Sequence, residues 1–287
     1  MGFQDGGACQ DGGALQEVYD GLLARWGVEV EPLSVRSEFG TTRVNACGPA
    51  DAPPVVLLPG HGATSAVWFT VAPRLASQYR VYAVDLIVDA GLGVPSGPAP
   101  RTPADLHIWL SGVLTGLGVE HGALVGHSYG AWVALTYAIA HPERVRRLAL
   151  LDPTDCYLGL RVPYVARALP SLLRPSAGRV QSFLRWETQG VTLDPLVLEL
   201  AGLAAVEPAP PVVRPKRPTA GELRPLAPLV FVANRSKCHN TARLTRRITT
   251  LSPNATVVPL RTATHHSLPT LHTSDLLPPL LTHLSAE

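Results

Sequence analysis

The sequence predicts an α/β fold with a mostly parallel central sheet that is flanked by helices. Between Val55 and Asp152, short and wholly apolar runs alternate with helical stretches in the order β-α-β-α-β-α-β. Such runs are typical of parallel strands that are covered on both faces. Strand signals then stop over residues 153–227, where short helical stretches and many prolines occur, and they resume at Leu229. We therefore expect one sheet that is interrupted by an inserted helical lid.

Composition and charge fit a globular protein and argue against a nucleic-acid partner and a membrane span. The chain has 287 residues, of which 46% are hydrophobic and 16% charged, with a net charge of +2. This is enough for one large domain, and the scattered arginines predict no nucleic-acid partner. No apolar run reaches the length of a membrane span, and residues 1–13 lack a secretory signal pattern. The four widely spaced cysteines fit no metal site and are expected to be free thiols in the cytoplasm; the oligomeric state is left open.

Four segments organise the chain. We expect a disordered tail at residues 1–14, the first part of the core at 15–152, the lid at 153–227 and the second part of the core at 228–287. The core begins with a short amphipathic helix from Leu15 to Trp26, whose leucines and Val18 share one side. Segments 31–39 and 41–47 flank a glycine and are predicted to form a β-hairpin.

The sheet pattern starts with the strand 55–58, a helix at 66–77 and the strand 81–84. The following loop, residues 89–98, is too rich in glycine and proline for regular structure. Thr102 and Pro103 occupy the N-cap and first helical positions of a helix that ends before Gly118. The remaining predictions are a helix at 131–140, a strand at 145–151, lid helices at 164–173, 177–188 and 195–205, a strand at 229–233, a helix at 241–250, a strand at 255–260 and a helix at 269–284.

The segment Gly126-His-Ser-Tyr-Gly130 lies between an apolar strand and a helix. This is the G-x-S-x-G pattern of a nucleophile elbow, a strained turn that lifts a serine hydroxyl above the sheet. Glycine is needed at both ends because the strand and helix backbones approach closely there. Ser128 is therefore the candidate nucleophile, although a glycine-rich turn with an inert serine is the alternative.

A serine hydroxyl needs a base, and the base needs a group that orients it. Residues 262–269 follow the last predicted strand, which places them at the same sheet edge as Ser128. This segment contains His265 and His266. We choose His266 as the base and keep His265 as the alternative; both could also be plain surface residues.

Two aspartates are candidates for the acid that orients the base. Asp152 ends the strand after the elbow helix, at the productive edge of the sheet, but it is also the kind of residue that caps a turn. Asp155, three residues later, is a second candidate, and the acid could also be absent.

An oxyanion hole requires two N–H donors. The backbone of Tyr129 supplies one, and we expect the second from His61 in the loop after Leu58. Gly60 and Gly62 allow that loop to bend towards the substrate.

Together these motifs resemble the α/β-hydrolase fold superfamily, in particular the lidded branch that includes esterases, epoxide hydrolases and haloalkane dehalogenases. Residues 55–68 are similar to its strand followed by H-G-x-x-x-S-x-x-x-W. Asp85 with the glycine-rich loop that follows is similar to its D-x-x-G-x-G motif, and residues 266–269 match its late histidine loop. The chain departs from the pattern at Pro59, where the family has histidine, and at residues 233–236. The family's common G-x-x-D motif is Ala-Asn-Arg-Ser at these positions, so the usual acid is missing. Some members place the acid after the strand that follows the elbow helix, and Asp152 occupies that position.

A serine elbow resembles that of the ester-cleaving members. The resemblance implies a carboxylesterase-type serine hydrolase acting on a small apolar ester-like substrate through Ser128, His266 and Asp152, with no metal or organic cofactor. An acyltransferase or cyclase with the same triad is one alternative, and a non-catalytic binding protein is another. We expect four lid aromatics to wall the pocket: Tyr157, Tyr164, Phe183 and Trp186.

Overall fold

The computed structural model describes residues 11–286, which form one nine-stranded sheet with helices on both faces. The strands of this part of the chain are β1 (Glu31–Ser37), β2 (Gly40–Cys47), β3 (Pro54–Leu58), β4 (Arg80–Val84), β5 (Val94–Pro95), β6 (Gly122–His127), β7 (Val145–Leu151), β8 (Leu229–Ala233) and β9 (Thr256–Leu260). The α-helices are α1 (Asp11–Ala24), α2 (Ala72–Leu75), α3 (Pro103–Gly116), α4 (Ser128–Ala140), α5 (Val162–Leu173), α6 (Ala177–Glu187), α7 (Pro195–Ala204), α8 (Ala220–Leu223), α9 (Thr241–Leu251), α10 (Leu268–Leu271) and α11 (Thr273–Ser285).

The strand order is β1-β2-β4-β3-β6-β7-β8-β9, with β5 paired to β2. Strands β4, β3, β6, β7, β8 and β9 are parallel to one another, whereas β2 runs antiparallel to β1, β4 and β5. The predicted mostly parallel sheet is therefore confirmed. Because the parallel strands end at one edge, the loops after β3, β6, β7, β8 and β9 meet there.

Apolar side chains fill both faces of the sheet. On one face, Trp109 of α3 and Trp132 of α4 are fully buried against the central strands. On the other, Trp68 and Leu280 pack with Phe231 of β8. The strands are covered on both sides, which explains their wholly apolar sequences.

The inserted segment, residues 153–227, joins β7 to β8 and carries α5, α6, α7 and α8. Helix α1 packs against α7 through Leu22, Val197 and Leu200. An ion pair between Arg25 and Asp194 connects the same two helices. The first helix thus fixes one side of the inserted segment to the core.

Two predictions near the start of the chain need correction. The tail predicted at residues 1–14 is wrong for residues 11–14, which belong to α1, while residues 1–10 lie outside the described part. The helix predicted at 66–77 is a 3₁₀ turn, Ser65–Trp68, followed by the short α2. Pro73 stands at the start of α2, the helical position that tolerates a missing N–H.

Two further elements differ from the prediction. The loop at 89–98 contains β5, which pairs with β2 despite its glycines and prolines. The closing helix is divided at His272 into α10 and α11, and the His272 ring lies 2.9 Å from the Ser267 hydroxyl.

In the part of the chain that the structure describes, no helix is both long enough and apolar enough to cross a bilayer. Cys47, Cys156 and Cys238 are free and buried, as expected, and Cys9 falls outside the described residues.

Candidate active site

Ser128 lies at the sharp turn between β6 and α4. Its φ of 54° is in the left-handed region that side chains other than glycine rarely adopt. A Cβ atom at Gly126 would lie 2.4 Å from the carbonyl oxygen of Gly130. A Cβ atom at Gly130 would lie 2.3 Å from the carbonyl oxygen of Pro59. Both glycines are therefore required by backbone contact, and the half-buried serine stands at the sheet edge between them.

The histidine beside the serine is His265, and the choice of His266 is wrong. The His265 Nε2 atom lies 2.8 Å from Ser128 Oγ, and its Nδ1 atom lies 2.7 Å from Asp152 Oδ2. The His266 ring points elsewhere, with Nε2 3.1 Å from the Tyr164 hydroxyl. Adjacent loop residues project in different directions, so the backbone orientation of the loop after β9 decides between them.

Asp152 is fully buried and directly follows β7. Burial raises the pKa of its carboxyl, but the hydrogen bond and charge of His265 lower it further, to about 2. The carboxylate is therefore ionised at neutral pH and accepts the Nδ1–H of His265. This leaves Nε2 of the neutral ring to accept the hydroxyl proton of Ser128.

Asp155, the alternative acid, makes no hydrogen bond to a histidine among the described residues. Burial raises the pKa of this carboxyl, and the positive charge of Arg217 opposes that rise. The Asp155 carboxyl and the Arg217 guanidinium both lie near Gly159 in the inserted segment. The structure therefore brings Asp152, and not Asp155, to the ring of His265.

Two residues that the sequence reasoning missed hold the backbone of His265. Glu187, at the end of α6, is fully buried. Its Oε1 accepts the N–H groups of His265 (3.1 Å) and Lys237 (3.2 Å), and its Oε2 accepts the N–H of His266 (3.2 Å). From the other side, Nε2 of His127 lies 2.9 Å from the His265 carbonyl oxygen. His127 stands inside the elbow motif, whereas nothing in the sequence distinguishes Glu187.

The pKa values of the two adjacent histidines are shifted in opposite directions. Burial lowers the pKa of His265, but its contacts with Cys238 and Asp152 raise it well above the ordinary value. Burial raises the pKa of the neighbouring Cys238 thiol, so Cys238 is uncharged at neutral pH and Asp152 is the counter-charge. Burial and the charge of His265 lower the pKa of His266 to about 4, so His266 is neutral.

Asp152, Cys238 and His265 also form a group of potential metal ligands. Each offers one atom, and these atoms lie within 4.8 Å of one another. The Asp152 and His265 atoms are already bonded to each other and, through His265, to Ser128. We therefore assign the group to acid–base chemistry.

The loop after β3 passes directly beside the serine. A Cβ atom at Gly60 would lie 3.0 Å from Ser128 Cβ. Asp89 fixes this loop, because its Oδ1 accepts the N–H of Gly62 at 3.1 Å and contacts the His61 ring. The backbone of residues 60–62 therefore borders the space above Ser128.

Tyr129 follows the serine in the first turn of α4. Its hydroxyl donates to the carbonyl of Val213 at 2.9 Å, which ties the elbow helix to the inserted segment. The expectation that the N–H groups of Tyr129 and His61 bind an oxyanion stays a prediction.

A cavity of about 490 Å³ lies between the inserted segment and the catalytic edge of the sheet. Its lining includes the rings of His61, His127 and His266. Of the four aromatics expected in the pocket wall, Phe183 lines the cavity. Tyr164 packs edge-on against Phe183, whereas Tyr157 is buried away from it, with its hydroxyl 3.3 Å from Ser252. The inserted segment supplies most of the remaining apolar lining, which includes Leu172, Val180, Leu184, Leu193, Val197 and Leu200.

The parallel sheet, the serine elbow and the late histidine together define a class of protein. Residues 55–277 match the model of the alpha/beta hydrolase family, which is more than half of the chain. The chain belongs to this family, as the sequence resemblance implied.

Individual relatives are similar over part or all of the chain. Carboxylesterase YbfK of Bacillus subtilis is 34% identical over 181 residues, which are 63% of this chain and 60% of that protein. The uncharacterized carboxylesterase nap of Bacillus subtilis is 35% identical over 170 residues, 59% of this chain and 55% of that protein. These matches span less than two thirds of either relative. The crystal structure of naproxen esterase (carboxylesterase NP) from Bacillus subtilis has a TM-score of 0.87 and 25% identity, covering 96% of this chain and 99% of that one.

Proposed function

We propose that this chain is a carboxylesterase-type serine hydrolase that cleaves an ester bond of a small apolar substrate. The hydrogen-bonded row from Ser128 through His265 to Asp152 carries the proposal, with contacts of 2.8 and 2.7 Å. A buried, ionised carboxylate holds the imidazole in the tautomer that accepts a serine proton. The carboxylesterase relatives support the same reaction class.

The proposed reaction has two steps. Ser128 Oγ attacks the ester carbonyl carbon while His265 Nε2 takes the hydroxyl proton. The C–O bond to the alcohol then breaks, and the proton passes from His265 to the leaving oxygen. Water attacks the acyl-enzyme with His265 as the base, releases the acid and restores Ser128.

The negative charge on the carbonyl oxygen needs donors that are in place before the reaction. We assign this role to the backbone N–H groups of Tyr129 and His61. The support for this assignment is that the loop at Gly60 lies against Ser128 and is fixed by Asp89. The N-terminus of α4, which begins at Ser128, adds a positive dipole end.

The cavity supports an apolar substrate. It is enclosed largely by aliphatic side chains and Phe183, and its charged lining residues are Asp89 and Glu207. The inserted segment thus acts as the lid that sets the size of the acyl or alcohol group. His266, neutral and part of this lining, contacts the substrate without serving as the base.

Two alternatives make different predictions. One alternative is a non-catalytic binding protein, and the reason for considering it is the missing carboxylate after β8. Asp152, which contacts His265, supplies a carboxylate from another strand and so removes that reason. An acyltransferase or cyclase would use the same residues, and an added alcohol acceptor distinguishes it, since only a transferase forms ester product preferentially over acid. The cytoplasmic location stays a prediction from the sequence.

The test combines an active-site probe with a substrate series. A fluorophosphonate should label the wild type, Ser77→Ala should label equally because Ser77 is an exposed serine, and Ser128→Ala should not be labelled. The wild type should hydrolyse p-nitrophenyl esters of increasing chain length, with the highest kcat/KM for medium apolar acyl chains. Absence of labelling in folded protein would reject the proposal.

A further inference from the structure

Helix α5 turns an apolar stripe towards solvent. Its large hydrophobic side chains include Val162, which is 80% exposed, Leu172 at 60% and Leu173 at 70%. Val165 and Leu169 are exposed as well. At about 100° per residue, these five positions fall within an arc of roughly 120° on the helix. Tyr164, on the opposite side, is the buried residue of α5.

This orientation is the reverse of that of an ordinary surface helix, which buries its apolar side. Ten large hydrophobic residues are exposed in the described part of the chain, and five of them lie on this one helix of 12 residues. Single exposed hydrophobic residues are normal, but a contiguous stripe marks a contact surface.

Positive charge lies at both ends of α5 and on the neighbouring helix α6. Residues 156–186 contain five arginines and no aspartate or glutamate, whereas the whole chain has a net charge of only +2. Arg161 and Arg174 stand at the two ends of α5, and Arg179 and Arg185 lie on the neighbouring α6. All of them are exposed, and within residues 11–286 none forms an ion pair. The charge complement of this face is therefore an anionic surface.

The stripe also borders the mouth of the cavity. Leu172 is largely exposed and at the same time lines the cavity, together with Ala168, Ser171 and Pro175. A partner that covers α5 therefore lies at the entrance of the candidate active site.

We propose that α5 docks on an anionic lipid surface. The apolar stripe enters the boundary between headgroups and acyl chains, and the arginines bind lipid phosphates. A second copy of this chain fits less well, because a two-fold dimer through this face would place the two sets of arginines against each other. Docking through α5 would deliver an ester dissolved in the membrane to the cavity. This consequence rests on the proposed function.

The test measures co-sedimentation with lipid vesicles. The wild type should bind phosphatidylglycerol vesicles at least about tenfold more tightly than phosphatidylcholine vesicles, and added salt should weaken the binding. The double variant Leu169→Ser/Leu173→Ser should lose about tenfold or more in affinity. Arg174→Gln/Arg185→Gln should remove the preference for the anionic lipid. Ile108→Ser, at an equally exposed position on α3, should bind like the wild type.

Two controls distinguish a loss of vesicle binding from misfolding and from a loss of esterase activity. Both double variants should hydrolyse a water-soluble short-chain ester at the wild-type rate, which shows that they are folded. Ser128→Ala should still bind vesicles, so failure of the esterase proposal leaves this test intact. Docking is overturned if the wild type binds neither lipid, if Leu169→Ser/Leu173→Ser binds as well as the wild type, or if sedimentation shows a dimer that this variant abolishes without any vesicle binding.

Discussion

The carboxylate of Asp152, which follows β7, accepts the backbone N–H of Ala233, the last residue of β8, at 3.1 Å. Its second oxygen contacts His265 at 2.7 Å. The carboxylate thus reaches across to the end of the neighbouring strand, after which this chain has Ser236 at the position of the family's usual acid. The acid that the family usually places after β8 is missing here, and Asp152 directly after β7 takes its place.

Asp152→Asn should reduce kcat by about 10³- to 10⁴-fold, because the amide no longer holds the reactive tautomer of His265. Asparagine tolerates the positive φ of 41° at this position, so the fold should be retained. Asp155→Asn is the matched control and should keep kcat within a factor of about three, since this half-buried carboxyl makes no hydrogen bond to a histidine among the described residues. Similar losses in both variants, measured as kcat on one p-nitrophenyl ester, would argue against Asp152 as the acid.

The pH dependence should report His265. The base must be neutral to accept a proton, and Asp152 raises the pKa of His265 above its ordinary value of 6.5. We therefore expect kcat/KM to rise with pH and to level off only above this value. In Asp152→Asn the counter-charge is lost, so the residual activity should level off at lower pH. If kcat/KM rose and levelled off near pH 4, close to the pKa of His266, the base would be His266 instead.

Glu187→Gln should weaken the support of the histidine loop. The amide retains one acceptor oxygen but turns an NH₂ group towards a backbone N–H, and the lost hydrogen bond to a charged group is worth about 1.5–3 kcal/mol. We expect a lower kcat with unchanged KM at a temperature well below unfolding, because the imidazole is misplaced while the cavity remains. Glu199→Gln, at an exposed position on α7, is the control. A lower melting temperature with unchanged kcat would make Glu187 purely structural.

The elbow glycines should be intolerant of a methyl group. A Cβ atom at Gly130 would meet the carbonyl oxygens of Pro59 and Leu58 at 2.3 and 2.4 Å, so Gly130→Ala should lower the free energy of unfolding by about 1–3 kcal/mol. Gly178 in α6 has no atom within 4 Å of the added position, and Gly178→Ala should raise this free energy by about 0.4–1 kcal/mol. Urea unfolding measures both. Equal stability of the two variants would contradict the close packing of the elbow.

The sheet could be predicted from the sequence because parallel strands covered on both faces have a distinctive apolar pattern. The elbow was equally visible, since the two glycines and Ser128 mark a turn that few sequences support. Both features are local, and local patterns are what a single sequence reports best.

The rest of the site depends on contacts between distant segments. Whether His265 or His266 faces Ser128 is decided by the loop backbone, which Glu187 and His127 hold from opposite sides. Glu187 is 78 residues away along the chain and ends an unremarkable helix. Its role becomes visible only when α6 packs onto the catalytic edge.

The central claim is tested most directly by comparing His265→Gln with His266→Gln on one p-nitrophenyl ester. His265→Gln should lose about 10⁴-fold or more in kcat/KM, because the base is removed. His266→Gln should stay within about tenfold of the wild type, because its neutral ring only lines the cavity. Full activity in His265→Gln, together with loss of activity in His266→Gln, would contradict the account.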